Sequence, residues 1–146
     1  MRRLRDAHWT LFLVTNQSGI GRGFFTVADL HRVHARLLEL LAPDGVWFDQ
    51  IYFAPEAPGQ PSHGRKPSPQ FLFDARDEFG LDLAASVMVG DKLIDLECGW
   101  NAGVGQTVLV RTGYGAEVER SEATRLRNAW VVPDLPAAAD RILEPE

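Results

Sequence analysis

The sequence predicts an α/β protein, a Rossmann-like three-layer sandwich with a mostly parallel sheet. Three observations carry that prediction. Short apolar runs alternate with segments of helical period along the whole chain. Several of those runs stop abruptly at polar or glycine-containing turns, as strands do where their carboxyl ends face a ligand crevice. The 146 residues are 45% hydrophobic and 24% charged, which suits one ordinary domain with a full core. Residues 1–146 are read as a single domain, with no repeat, low-complexity segment or interdomain linker.

The elements follow in order. Leu11-Phe12-Leu13-Val14 is a continuous apolar run ending at Thr15-Asn16, the pattern of a strand buried on both faces. Thr26 can cap a helix, with Asp29 three residues on as the acid of a capping box. Leu30, Val33, Leu37, Leu40 and Leu41 then recur at helical spacing until Pro43-Asp44-Gly45. His31 and His34 are three apart on this helix, and a solvated face accounts for them better than a shared metal. Residues 48–53 make a second strand, and 54–69 a proline-rich loop. Ser68-Pro69 is an N-cap and first-turn pair for a helix through Phe71, Leu72, Ala75 and Phe79 to Gly80. Val87-Met88-Val89 is a third strand, and residues 94–102 a helix. Thr107-Val108-Leu109-Val110 and Trp130-Val131-Val132 are two more strands, the latter followed by a helix from Asp134. Cys98, Trp9, Trp47, Trp100 and Trp130 read as packing residues.

The bulk numbers exclude several roles. The net charge of −5 argues against general binding to nucleic acid or anionic membranes. The apolar runs are too short to span a bilayer. The basic Met1-Arg2-Arg3-Leu4-Arg5 is followed by Asp6, His8 and Thr10, a poor signal peptide. One cysteine allows no intrachain disulfide, which fits a cytoplasmic protein. No long apolar seam is left over, so a monomer is expected.

Three segments at or near strand ends carry chemistry. Thr15-Asn16-Gln17-Ser18-Gly19, continued by Ile20-Gly21-Arg22-Gly23, offers a hydroxyl, backbone N–H groups and small residues that suit a phosphate. Gly64-Arg65-Lys66-Pro67-Ser68-Pro69 sets two cations before a helix start, where an anion is favoured. Gly90-Asp91-Lys92-Leu93-Ile94-Asp95 spaces two carboxylates four apart across a strand end and a first helical turn. Asp91 is suited to Mg2+, a hard cation that takes oxygen ligands. Asp95 can orient a ligand or Lys66, or simply favour the helix N-terminus. Taken singly, each segment also reads as a polar turn, a basic turn or an N-cap.

Jointly, their order and spacing resemble the haloacid dehalogenase superfamily, and within it the heptose-bisphosphate and histidinol-phosphate phosphatases. Val14 to Gly23 looks like that family's second motif, Arg65-Lys66-Pro67-Ser68-Pro69 its third and Met88 to Asp95 its fourth. Val108 to Gly113 resembles the strand and turn that follow. The resemblance implies a Mg2+-dependent phosphomonoester hydrolase of a small sugar phosphate, heptose 1,7-bisphosphate first and histidinol phosphate second. Its implied chemistry is an aspartyl-phosphate mechanism. It further implies that Lys66 and Asp95 are catalytic and that Asp91 binds the metal. Thr15, Asn16, Gln17, Ser18, Arg65, Lys66 and Lys92 would bind phosphate or substrate.

The sequence departs from the family twice. The family's nucleophile lies in an Asp-x-Asp at the end of a first, central strand, and no Asp-x-Asp occurs in these 146 residues. The first strand is therefore expected to be missing, the domain being N-terminally truncated relative to the family. Asp6, in a polar stretch that resembles the end of a preceding helix, is a poor substitute. Second, such phosphatases often carry a Cys/His zinc loop before the Arg-Lys-Pro motif. Residues 54–64 hold His63 and no cysteine, so no zinc is expected. The alternatives are a catalytically inactive remnant that binds phosphate or a protein, and a receiver-like domain. The motif spacing fits the receiver poorly.

Overall fold

In the computed structural model, which describes residues 1–144, the chain divides after Arg65 into two units. The first unit runs α1 (Arg2–Asp6), β1 (Phe12–Asn16), α2 (Ser18–Gly21), α3 (Val27–Leu41) and β2 (Gln50–Ala54). The capping box at the head of α3 forms as expected. Asp29 N–H donates to Thr26 Oγ1 at 3.2 Å, and Thr26 N–H donates to Asp29 Oδ2 at 2.8 Å. Gly45, at φ +66°, follows the 3-10 turn Ala42–Asp44, a left-handed position that suits glycine. β1 and β2 pair in parallel, from Phe12 opposite Gln50 to Asn16 opposite Ala54.

The helical period puts Leu30 and His34 on one face of α3, and both are buried. The His34 ring meets Phe53 of β2 edge-on at 6.3 Å, and His31 meets it at 5.9 Å. The solvated face expected for this pair holds for His31, which is exposed, and is corrected for His34, whose packing position at i+4 from Leu30 decides where it points. Burial, helped by the nearby His31, pushes the His34 pKa below its ordinary value.

Arg5 ties α1 to the strand entrances. Its guanidinium pairs with Asp49 at 2.7 Å, lies 4.1 Å over the Trp47 ring and donates to the carbonyls of Trp9 and Trp47. Asp49 in turn accepts from Leu11 N–H at 2.8 Å and returns its own N–H to Leu11 O. Burial alone would raise the Asp49 carboxyl, but the bonds from Arg5 and Leu11 outweigh it and hold it below the usual carboxylate range.

The second unit runs α4 (Gln70–Phe79), β3 (Val87–Gly90), α5 (Leu93–Ala102), β4 (Gln106–Val110), α6 (Gly115–Ser121), β5 (Trp130–Val132) and α7 (Leu135–Leu143). The strands are parallel in the order β3-β4-β5. Strand alternation splits the core between two faces. Leu109 of β4 packs with Leu93 and Leu96 of α5 and with Val118 of α6. Val108 and Val110 pack with Ala138 of α7. Helices therefore cover both faces of this sheet, the layering the sequence predicts.

The α/β class and parallel pairing are as expected, with the described strands in two sheets. β1 pairs only with β2, and β3 only with β4, so each keeps one edge without a strand partner among the described residues. Helices α2 and α6 are additions to the sequence reading, whereas α1 ends at Asp6, where the sequence resembles the end of a helix. All are short, and none has a side-chain cap to announce it. Among the described residues no helix is long and apolar enough to cross a membrane.

Candidate functional site

The chemistry of the second unit gathers at the carboxyl end of β3. The strand stops at Gly90, and Asp91 and Lys92 lead into α5. Asp95 lies one turn in, and two groups converge on its carboxylate. Lys66 Nζ pairs with Oδ1 at 2.7 Å, and Lys92 N–H donates to Oδ2 at 3.0 Å. The side chains of Lys66 and Asp95 are only 11% and 7% exposed, so this pair sits largely out of water. A buried pair with such geometry holds its members rigidly, even where it adds little net stability. Of the readings left open by sequence, orienting Lys66 and favouring the helix start both hold for Asp95.

Gly90 makes room for that carboxylate. A Cβ at Gly90 would lie 2.3 Å from the Asp95 Cβ and 2.4 Å from its Oδ2, so only glycine fits there. The loop carrying Lys66 is also held from α5. Asn101 Nδ2 donates to Pro67 O at 3.0 Å, and the Cys98 thiol donates to Ser68 O at 3.2 Å. Cys98 is fully buried. Its thiol pKa is pushed up to about 11, by burial first and by Asp95 second, against the opposing field of Lys66. It stays a neutral thiol and a structural donor. Ser68 Oγ accepts Gln70 N–H at 3.3 Å, but the N-cap of α4 is Pro69, with no side-chain cap, so the expected Ser68-Pro69 N-cap and first-turn pair is corrected by one residue.

Asp91 is not the N-cap of α5; that position belongs to Lys92. The Asp91 carboxylate reaches the turn after β4, where Oδ2 accepts Tyr114 N–H at 3.0 Å. Oδ1 has no hydrogen-bond partner among the described residues. A half-exposed carboxylate with one oxygen engaged and one open fits Mg2+, which takes one or two carboxylates and keeps several waters. Lys92 is exposed, with Nζ 4.3 Å over the Tyr114 ring.

In the first unit, Gln17 Nε2 donates to Thr15 Oγ1 at 3.0 Å, bringing two of the expected phosphate residues together at the end of β1. Ser18 opens α2 and Asn16 closes β1. Not every N–H of this segment is open to an anion. Gln17 N–H donates to Ala54 O, Ile20 N–H to Gln17 O and Gly21 N–H to Pro55 O. Arg65 donates from Nη1 to Glu56 O at 3.0 Å and from its N–H to Ser62 Oγ at 3.2 Å. Ser62 Oγ in turn donates to Glu56 Oε2 at 2.6 Å. These bonds close the loop ahead of the Arg-Lys-Pro motif.

Sequence reasoning missed Gly90, Asn101, Gly113 and Tyr114 as parts of the site. Gly90 and Gly113 stand inside the quoted motifs, but no single sequence tells a packing glycine from a turn glycine. Asp6 ends α1 with a 71% exposed side chain and an Arg2 neighbour at 4.0 Å, a surface position remote in kind from a strand-end nucleophile.

Comparison with known proteins gives a consistent picture. A family model described as HAD-hydrolase-like matches residues 63–138. A D-glycero-D-manno-heptose-1,7-bisphosphate 7-phosphatase of Chlorobaculum tepidum is 44% identical over 125 residues, covering 77% of this chain and 62% of that protein. The D-glycero-beta-D-manno-heptose-1,7-bisphosphate 7-phosphatase of Escherichia coli K12 is 40% identical over 155 aligned positions, covering 99% of this chain and 79% of that protein. A crystal structure of the D,D-heptose 1,7-bisphosphate phosphatase from B. bronchiseptica, complexed with magnesium and phosphate, superposes with a TM-score of 0.90 at 36% identity. It covers 97% of this chain and 78% of that one.

Proposed function

The chain belongs to the haloacid dehalogenase-like phosphatases, and from that premise we propose that it serves the Mg2+-dependent hydrolysis of a phosphomonoester on a small sugar, heptose 1,7-bisphosphate. The observation that carries this reading is the Lys66–Asp95 pair at 2.7 Å beside Asp91 at the end of β3. Names support the substrate: the relatives described above are phosphatases of that bisphosphate. Histidinol phosphate is the second candidate. The binding-only alternative finds no support among those names.

The proposed roles follow the matched motifs. Thr15, Asn16, Gln17 and Ser18 bind the phosphoryl group or the substrate, and Arg65 grips substrate with a planar fork of donors. Lys66, fixed by Asp95, neutralises charge on the phosphoryl oxygens. Asp91 would hold the cation, and Lys92 would sit at the substrate. Bound Mg2+ would bring positive charge to the phosphoryl oxygens as they gain electron density. Transfer of this kind depends on positioning and electrostatics. The nucleophile of the proposed aspartyl-phosphate route is an aspartate outside these 146 residues, in keeping with the absence of an Asp-x-Asp here. We further place the activity in a single cytoplasmic domain.

A substrate panel tests the proposal. The purified chain is assayed with Mg2+ alone and with an Asp-x-Asp strand from one of the relatives fused ahead of Met1. The expected result is phosphate release by the fused form, fastest from heptose 1,7-bisphosphate and lost on Lys66→Met. Release that ignores Lys66, or a preference for histidinol phosphate, would overturn the mechanism or the substrate respectively.

A further inference from the structure

The turn after β4 touches both charged residues at the head of α5, and it does so through one residue. Tyr114 gives its backbone N–H to Asp91 Oδ2 at 3.0 Å, and its ring lies under the Lys92 ammonium at 4.3 Å. Gly113 permits this approach. It sits at φ +64°, and a Cβ there would fall 2.2 Å from Asp91 Oδ2. The turn is fixed from behind: Arg111 N–H donates to Val132 O at 2.9 Å, and the Arg111 guanidinium grips Glu119 through two bonds of 2.6 and 2.7 Å. Tyr114 is 60% exposed and fills no core space, so packing does not explain it.

We propose that Tyr114 is a positioning residue for phosphate binding, holding the Lys92 ammonium over its ring and the Asp91 carboxylate on its N–H. This rests on the reading that Asp91 binds Mg2+ and Lys92 meets the substrate. The backbone bond occupies one oxygen of Asp91 and leaves the other without a hydrogen bond among the described residues. The ring restrains a lysine whose four-carbon stem would otherwise lose its freedom only when the anion arrives. An exposed cation–π contact of this kind accounts for roughly a two- to fivefold effect on affinity.

The test uses the full chain with Mg2+ and inorganic phosphate as the probe. Titration calorimetry measures phosphate affinity, and NMR reads the ring-current shift of the Lys92 ε-methylene protons. Tyr114→Phe keeps the ring and is expected to keep both the upfield shift and the affinity. Tyr114→Ala should lose the shift and bind phosphate two- to fivefold more weakly, with an unchanged Tm. In a Lys92→Ala background, Tyr114→Ala should add nothing. Equal phosphate affinity in the parent chain and Tyr114→Ala, or the same loss with and without Lys92, overturns the inference and leaves the phosphatase reading standing. A parent chain that binds no phosphate at millimolar concentration overturns both.

Discussion

At the scale of single residues, the site turns on the Lys66–Asp95 pair. Both side chains are nearly buried, so removing one charge strands the other. Lys66→Met is expected to destabilise the chain by about 3–5 kcal/mol, because among the described residues the Asp95 carboxylate then keeps the Lys92 N–H alone. Lys66→Met combined with Asp95→Asn should recover most of that loss, since no buried charge remains; urea denaturation of the parent and both variants checks this. His34 supplies a second residue-scale prediction. Its native pKa lies below the unfolded value near 6.5, so the unfolded chain takes up a proton first as the pH falls. The stability contribution is complete above about pH 6.5 and declines below it, toward the depressed native pKa. Denaturation midpoints at pH 7.5 and pH 5.5 should show this decline, and His34→Phe should reduce it. The lowered carboxyls of Asp29, Asp49, Asp77 and Glu119 act in a more acidic window and leave this comparison intact.

At the scale of elements, legibility followed the strength of the local signal. β1 and the third strand were readable because apolar runs end in Thr15-Asn16 and Gly90-Asp91, where burial and polarity change within one residue. The start of α3 was readable to the residue, because Thr26 and Asp29 satisfy each other's backbone N–H groups. Thr26→Ala should therefore cost about 1 kcal/mol in thermal or urea unfolding, while Val33→Ala, at an exposed position, should cost much less. Helix α6 was not readable: its seven residues begin at Gly115 without a side-chain cap. Its position is set by tertiary contact instead, with Gly115 pressed so close to Val110 O that any Cβ would clash. The role of Asp91 was half readable. Its residue type and strand-end position suggested either a cap or a metal ligand, and only the Tyr114 N–H, 23 residues away, shows that its carboxylate leaves the helix axis.

At the scale of the molecule, each sheet keeps edges with no strand partner among the described residues. β1 and β3 each offer a row of backbone groups with no strand partner among the described residues. Unpaired edges invite strand addition. A monomer is nevertheless expected, and light scattering of the purified chain over a tenfold concentration range should give one constant mass. The family membership rests on relatives that align with nearly the whole chain, and on the proposed reading the charge-neutralising Lys66 and the metal-holding Asp91 both belong to the second unit. The most direct test is the Mg2+ dependence of heptose 1,7-bisphosphate hydrolysis, followed by 31P NMR in the form carrying an Asp-x-Asp strand. The account predicts that turnover saturates with Mg2+ and falls at least a hundredfold in Asp91→Asn, at roughly the scale expected for loss of a group that orders transition-state charge. Turnover that persists undiminished in Asp91→Asn would contradict it.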